Sequence, residues 1–244
     1  MAETKKKKVV AATAEEKKKA AGKRVLAIVF WVLALGCELV AFMNLSGKWY
    51  LPNLIPALPD NYLLYLIIFL VLDLIFLIIG SQGWQQTNRL DPASKENKVA
   101  FFLQNQMGLI VAIACFVPFI IKLFAGKDLK IDGKQKTIVA VVACAALLVG
   151  GLASVDWNPI SAEEKIAAQE EIEGAVIVTQ FGHCYHTNPD CQSIRNSANQ
   201  ITSDENLTNQ PEGWTSDGII SVVEAIDGGW TKLCSYCQHA AEQE

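Results

Sequence analysis

The sequence predicts a mostly α-helical chain, in which a bundle of four transmembrane helices is followed by a small α+β domain. The first observation is composition: 51% of the 244 residues are hydrophobic and the mean hydropathy is +0.25, which is high for a soluble protein. The second is the presence of four long apolar runs, all within the first 155 residues. The third is that all three histidines and four of the seven cysteines lie beyond residue 180, in a part of different composition.

The four apolar runs cover residues 25–43, 62–79, 99–121 and 137–154. Each is close to the ~20 residues that a helix needs to cross the ~30 Å hydrocarbon core of a bilayer. Buried helices of a soluble protein are the alternative, but four such runs separated by short polar loops are typical of a membrane bundle. We therefore expect four transmembrane helices within residues 25–155, in contact with a lipid bilayer. Because four short spans bury little surface, association of several copies of the chain is a further expectation.

Basic residues predict the orientation of the spans. Residues 1–24 form a basic leader with nine lysines and arginines, and the loop over residues 80–98 adds three. The remaining loops and their flanks hold six, of which five lie between residues 122 and 136 and are an exception to the pattern. Since cytoplasmic loops are enriched in lysine and arginine, the leader is expected in the cytoplasm. Four spans return the chain to its starting side, so the sequence predicts a multi-pass protein of the cell membrane (inner or plasma membrane) with both termini cytoplasmic.

Three polar residues interrupt the predicted spans: Glu38, Asp73 and Asn105. A carboxyl group in hydrocarbon is costly, so it normally faces the bundle interior, finds a partner or carries a proton. One interpretation is a small transporter or channel component that uses Glu38 and Asp73; the other is a single polar contact between helices. Counting ~1.5 Å per residue from the ends of the runs places Asp73 level with Asn105. The same count places Glu38 too far from Asp73 for contact.

Residues 156–244 have a different charge from the rest of the chain. They contain three basic and 15 acidic residues, against 18 and 10 in residues 1–155. An acidic tail repels phosphate groups, which argues against nucleic acid as a partner. Residues 156–174 are expected to form an acidic helical linker capped by Ser161. Residues 175–244 are expected to form the small domain, with a β-branched strand at its start and a later helix capped by Ser221 and Glu224.

The domain over residues 175–244 contains two pairs of soft ligands. His186 and Cys191 are separated by four residues, and Cys234 and Cys237 by two. Zinc is commonly bound by four nitrogen and sulfur ligands offered as separated pairs, and a Cys3His set leaves no coordination position open. The spacing therefore favours a structural zinc site, which would supply folding free energy to a domain with a thin apolar core. Cys184 lies on the same strand face as His186, and could replace it as a ligand or remain a free thiol.

Two other interpretations of the cysteines stay open. Disulfide bonds would require an oxidising compartment, and hence an extracytoplasmic, disulfide-stapled tail. Redox catalysis by a Cys-x-x-Cys motif prefers a helix that begins directly after a strand in a βαβ setting, which is not recognisable here. The sequence also offers no nucleophile with a base and an orienting group, no glycine-rich phosphate loop and no His-Glu-x-x-His motif. It thus favours a non-enzymatic protein whose C-terminal domain contacts another protein.

The C-terminal quarter of the chain resembles a small bacterial zinc-binding module that is appended to membrane proteins and secreted nucleases. The segments VIVTQFGHCYHTNPDCQSI, SVVEAIDGG and CSYC carry the resemblance, through Tyr-His-x(3–4)-Cys, Glu-Ala-x(3)-Gly and Cys-x-x-Cys. The arrangement also looks like the Ada-type zinc-binding domain of alkylation-repair proteins. The resemblance implies that zinc is bound by His186, Cys191, Cys234 and Cys237, with His186 preferred to Cys184. Ada-type domains use four cysteines, so their methyl-accepting and DNA-binding roles are not implied for this chain.

Overall fold

The computed structural model describes residues 10–48, 50–172, 175–179, 182–188, 191–194 and 219–241. These residues fall into two compact units. The helical unit comprises Lys19–Thr87 and Phe102–Trp157. The mixed unit comprises the described residues of Met1–Lys18, Asn88–Phe101 and Asn158–Glu244. The mixed unit is therefore assembled from three separate parts of the chain rather than from the C-terminal part alone.

Four helices are long and apolar enough to cross a membrane: α1 (Ala14–Leu45), α3 (Tyr62–Leu90), α5 (Met107–Ala125) and α6 (Gly133–Ser154). Two shorter helices, α2 (Leu51–Leu54) and α4 (Lys98–Asn105), lie between them. Only 28% to 33% of the most apolar window of each long helix is buried inside the chain. The other apolar side chains face outwards, and lipid is the solvent that accepts such a surface. The length and composition of the four helices therefore confirm the prediction of a multi-pass membrane protein in contact with a bilayer.

The helices do not begin and end where the apolar runs do. Helix α1 begins at Ala14, within the basic leader, and α3 continues to Leu90, eleven residues beyond the end of the predicted span at residue 79. Alanine, lysine, glutamate and glutamine are strong helix formers in water, so a helix continues past the apolar run that marks its lipid-embedded part. The third predicted span is divided in the structure, because Gln106 lies outside both α4 and α5 with φ −105° and ψ 15°.

Polar side chains at one end of the helical unit fix the register of its helices. The indole of Trp31 on α1 donates a hydrogen bond to the Ser81 hydroxyl on α3 at 3.3 Å. The indole of Trp84 donates to the backbone carbonyl of Gln104 at 2.7 Å. The Ser154 hydroxyl at the end of α6 donates to Ser81 at 2.9 Å. Since each helix rises ~1.5 Å per residue, these contacts determine which residues face one another further along the bundle.

The described residues of the mixed unit include a four-stranded sheet and three helices that lie wholly within the unit. The strands are β1 (Ala175–Val178), β2 (Cys184–His186), β3 (Ile219–Ser221) and β4 (Lys232–Leu233), in the order β3-β1-β2-β4. Strand β1 is antiparallel to both β2 and β3, whereas β4 runs parallel to β2. The helices are α7 (Ala162–Glu171), α8 (Val222–Gly228) and α9 (Ser235–Ala241). The predicted small α+β region after the membrane helices is therefore present.

The mixed unit has an apolar core of its own. Its buried side chains include Val176, Val178, Tyr185, Ile226 and Trp230. The Trp230 indole donates to the carbonyl of Thr179 at 3.0 Å, so its polar atom is satisfied inside the core. This core lies on one side of β2, and the cysteine-rich cluster forms a second, separate cluster of buried residues.

The predicted helix caps are confirmed. Ser161 accepts a hydrogen bond from the backbone N–H of Glu164, whose side chain accepts in return from the N–H of Ser161. Ser221 and Glu224 form the same reciprocal capping box at the start of α8. At the other end of α8, Gly229 adopts φ +111°, a left-handed conformation that only glycine tolerates readily. The turn at Gly229 directs the chain into β4 and onward to Cys234.

Candidate metal centre

Two pieces of local structure bring three of the four predicted ligands together: His186, Cys234 and Cys237. Strand β4 pairs with β2, which places Leu233 beside Tyr185 and so brings Cys234 close to His186. The backbone N–H of Cys234 extends this pairing by donating to the Tyr185 carbonyl at 2.9 Å. Helix α9 then begins at Ser235, and its first turn returns Cys237 to the same side as Cys234. The two-residue spacing thus presents both sulfurs to one point, as zinc knuckles require.

The geometry of the four side chains suits a tetrahedral metal ion. One ligand atom each from His186, Cys191, Cys234 and Cys237 lies within 4.8 Å of all the others. The sulfurs of Cys191 and Cys234 are 3.9 Å apart, and the Cys237 sulfur is 3.8 Å from His186 Nδ1. A tetrahedron with zinc–sulfur bonds of ~2.3 Å has sulfur–sulfur edges of ~3.8 Å. The cluster could therefore bind a metal ion with little rearrangement.

The same distances describe reduced thiols. A disulfide requires a sulfur–sulfur distance of ~2.05 Å, far shorter than the 3.9 Å between Cys191 and Cys234. All seven cysteines of the chain are free in the structure. The arrangement in the mixed unit is thus that of a ligand cluster rather than of a cross-linked pair.

Burial of the cluster controls its protonation. His186 is 2% exposed, and burial lowers the pKa of its imidazole, which favours the neutral, metal-binding form. Burial acts to raise the pKa of Cys234, but the nearby Ser193 hydroxyl and the backbone N–H groups of Tyr236 and Cys237 outweigh it and lower the pKa. For Cys191, burial and the neighbouring sulfurs together raise the pKa. A bound cation would stabilise all three thiolates, because its own charge is the largest in such a site.

Cys184 is a fifth candidate ligand that lies beside the cluster but outside the set of four. Its sulfur is 3.9 Å from His186 Nε2, whereas Nδ1, the other ring nitrogen, faces Cys237. Burial and the neighbouring cysteine sulfurs raise the pKa of Cys184 to about 12. Cys184 is therefore a neutral thiol beside Nε2 of His186, the ring nitrogen that does not face Cys237. A hydrogen-bond partner at the second ring nitrogen commonly fixes the ring orientation of a metal-bound histidine.

The structure corrects the predicted neighbours of Asp73. Its carboxyl group interacts with Glu38 on α1 and with the Cys115 thiol on α5, not with Asn105. The prediction assumed that the ends of the apolar runs are level with one another. In the structure Trp84 contacts the backbone of Gln104, which sets the alignment of α3 with α4 and α5. Because these helices run antiparallel, Asp73, eleven residues before Trp84, is level with Cys115, eleven residues after Gln104. Asn105 is ten positions before Cys115, and therefore about 15 Å further along the bundle. The predicted distance between Glu38 and Asp73 was wrong for the same reason.

Lys165 on α7 is a buried charge that sequence reasoning missed. Its side chain is 0% exposed and its ammonium lies 2.8 Å from Asp227 Oδ1 and 3.3 Å from Glu16 Oε1. It also donates to the backbone carbonyls of Arg89 and Leu90, at 3.0 and 3.4 Å, where α3 ends. The one signal in the sequence is that Lys165 is the only basic residue between Lys136 and Arg195. In the mixed unit it joins the start of α1, the end of α3, α7 and α8.

Comparison of the chain with protein-family models, with curated protein sequences and with solved structures finds no match.

Proposed function

We propose that this chain is a multi-pass protein of the cell membrane that presents a zinc-stabilised module in the cytoplasm for contacts with another protein. The observation that carries the proposal is the buried cluster of His186, Cys191, Cys234 and Cys237, with ligand atoms within 4.8 Å of one another. Three thiolates and an imidazole are a donor set that selects zinc over harder cations such as magnesium or calcium. Four protein ligands leave no position for a substrate, which favours a structural metal rather than a catalytic one.

The proposed location of the module rests on topology and on compartment. The start of α1, the segment Asn88–Phe101 and the C-terminal part belong to one compact unit, so all three belong on one side of the membrane. The leader and the loop over residues 80–98 carry twelve basic residues, which favours the cytoplasmic side. A reducing cytoplasm also keeps thiols available as metal ligands.

A role in protein contacts is supported by the charge and the donor set of the module. The acidic residues of the C-terminal part, 15 against three basic ones, favour a protein partner with a basic contact surface over nucleic acid. Zinc would hold the small sheet and α9 together and thereby preserve that surface.

The proposal is tested by metal analysis of the full-length chain. The protein is purified in detergent with a reductant, and zinc is measured per chain by mass spectrometry. We expect one zinc per chain in the wild type and a loss of most of it in Cys237→Ser. The matched control is Cys144→Ser, since Cys144 is an exposed cysteine on α6, far along the chain from the ligands.

Two outcomes would contradict the proposal. One is a folded, reduced wild-type chain that contains no zinc after purification and gains none on titration. The other is a Cys237→Ser variant that retains full zinc content, since the structure places the Cys237 sulfur inside the cluster.

A further inference from the structure

A pair of carboxyl groups lies inside the helical unit, apart from the metal centre. Asp73 on α3 is 0% exposed, and the neighbouring core residues Leu70 and Leu77 on the same helix are also 0% exposed. Glu38 on α1 is 8% exposed and interacts with Asp73 across the helix interface. The core residues Phe116 and Phe119 of α5 belong to the same buried cluster as these leucines. The two carboxyl groups are therefore enclosed by apolar side chains.

Three of the four carboxyl oxygens lack the N–H or O–H donor that a structural contact would provide, since the Cys115 thiol beside Asp73 is only a weak donor and the one backbone contact, from Phe119, goes to Glu38. Both oxygens of Asp73 and Oε1 of Glu38 are fully buried and have no hydrogen-bond partner among the described residues. A purely structural polar contact between helices predicts the opposite, because buried polar groups are normally paired. The missing partner indicates that the groups interact with something smaller than a side chain.

Among the residues that the structure describes, no cation faces the pair. The titratable groups that face Asp73 are Glu38 and Cys37 from α1 and Cys115 from α5. Helix α6 contributes buried alanines to this region and has no acidic or basic residue after Lys136. Helix α1 has no basic residue after Arg24, α3 has none before Arg89, and α5 has none before Lys122. The described groups that face Asp73 are therefore one carboxyl group and two thiols, and none of them can carry a positive charge.

Two ionised carboxylates cannot be accommodated in this environment. An unpaired charge in a low-dielectric interior costs several kcal/mol even after relaxation, and two like charges in one site oppose each other further. A neutral carboxylic acid has a much lower free-energy cost in this environment, and forming it requires only a proton. We propose that Glu38 and Asp73 form a proton-binding site inside the transmembrane bundle, with Asp73 holding a proton when the surrounding solution is neutral.

The site is closed to water, and this has a mechanistic consequence. Since Asp73 is 0% exposed, a proton can enter or leave only when the helices separate enough to admit water from one side. The Cys115 thiol is the neighbouring weak donor on α5 and Glu38 is the second acceptor on α1. Proton exchange at Asp73 would therefore be coupled to movement of α1 or α5 against α3. This coupling between proton exchange and helix movement does not depend on the metal centre or on the role proposed for it.

The test is infrared spectroscopy of the full-length protein in lipid vesicles at neutral pH. A protonated carboxylic acid has a carbonyl stretching band that an ionised carboxylate lacks. We expect this band in the wild type, a loss of most of it in Asp73→Asn, and a smaller loss or a shift in Glu38→Gln. The control is Glu96→Gln, since Glu96 is an exposed carboxylate between α3 and α4, and its replacement leaves the band unchanged.

A chemical measurement on the wild type covers the case in which a variant fails to fold. An apolar carbodiimide modifies protonated carboxyl groups in apolar surroundings, and peptide mass spectrometry locates the modified residue. We expect modification of Asp73 or Glu38 and none of Glu96. The proposal is overturned if the wild type shows neither the band nor the modification, or if the band survives in the Asp73→Asn, Glu38→Gln double variant. It is also overturned if the band disappears on adding saturating sodium, since the site would then bind a metal cation.

Discussion

At the scale of single residues, the decisive distinction is between two neighbouring candidates for one ligand position. Cys184 and His186 lie on the same strand, two residues apart, and both contact the cluster. The structure places a ring nitrogen of His186 within the group of four ligand atoms and leaves Cys184 outside it. The imidazole reaches the cluster through Nδ1, since Nε2 faces the Cys184 sulfur. Cys184 therefore lies beside the group of four that could hold a metal ion, in contact with one of its members.

Replacing Cys184 by serine tests this distinction. We expect Cys184→Ser to retain one zinc per chain, with an affinity reduced by no more than the ~10–100-fold that is typical for outer contacts of a ligand. His186→Ala should lose the metal under the same conditions, because it removes one of the four ligand atoms. Both variants are compared by competition with a zinc chelator. If Cys184→Ser lost the metal while His186→Ala kept it, the site would be a four-cysteine centre.

At the scale of secondary-structure elements, Lys165 is the residue on which several elements depend. Its ammonium contacts two carboxylates, Glu16 on α1 and Asp227 on α8, whose side chains are 16% and 24% exposed. It also satisfies backbone carbonyls at the C-terminal end of α3, where the helix dipole favours a cation. The same unit is joined at its surface by Glu163, which accepts hydrogen bonds from the Ser94 hydroxyl and the Lys95 N–H. Charge contacts thus hold together segments that are distant in the sequence.

We expect Lys165→Met to destabilise the mixed unit by about 3 kcal/mol, near the lower end of values for breaking a buried ion pair, since both carboxylates are partly exposed. The methionine keeps the volume of the side chain, but it removes the ammonium that contacts Asp227, Glu16 and two backbone carbonyls. The measurement is the free energy of unfolding of the mixed unit, from amide hydrogen exchange of its core peptides. The control Lys232→Met changes an exposed lysine of β4 and should alter the free energy by less than ~0.5 kcal/mol.

The pH dependence of the contact between Lys165 and Glu16 provides a second test of its contribution to stability. Burial acts to raise the pKa of Glu16, but hydrogen bonds from Thr13 and the Lys165 ammonium outweigh it and lower the pKa. A group with a lowered pKa in the folded state stabilises the fold above its unfolded pKa, and this contribution is lost as the pH falls. The difference in stability between wild type and Lys165→Met should therefore decrease below about pH 4.5. An equal difference at neutral and acidic pH would show that Lys165 acts through packing alone.

At the scale of the whole molecule, the membership of the mixed unit restricts the topology. If all four helices that are long enough to cross a membrane do cross it, the number of crossings is even, as the proposed topology with both termini on one side requires. The structure adds that the segment between α3 and α4 belongs to the same compact unit as the start of α1 and the C-terminal part. An odd number of crossings would separate these segments. The proposed cytoplasmic location then follows from the basic residues that they contain.

Protease sites inserted at four positions test this topology. We expect sites at the N-terminus, after Glu96 and at the C-terminus to be protected in intact cells and cleaved in inside-out membrane vesicles. A site after Lys127, in the segment between α5 and α6, should show the reverse. Cleavage of the C-terminal site in intact cells would place the cysteines in an oxidising compartment and favour disulfides over zinc.

Much of the architecture could be predicted from the sequence because its determinants are local. A run of ~20 apolar residues is sufficient to specify a membrane span, whatever the rest of the chain does. The capping boxes at Ser161 and Ser221 depend on residues three positions apart, and the structure contains both. The chemical types in the cluster were also predictable, since the softest ligands of the chain are concentrated in its last 64 residues. Hydropathy and short-range spacing carry this information by themselves.

Only the tertiary structure decided which distant residues meet. The register of α1 against α3 depends on Trp31, whose ring packs where a Cβ on Gly80 would lie, 2.6 Å from the ring atom Cδ1. That packing brings Glu38 to Asp73, which the ends of the apolar runs could not reveal. The contacts of Lys165 and the meeting of His186 with the three cysteines likewise depend on side chains from separate elements. Hydropathy fixes how far each helix extends into lipid, but the interlocking of side chains between helices fixes their alignment.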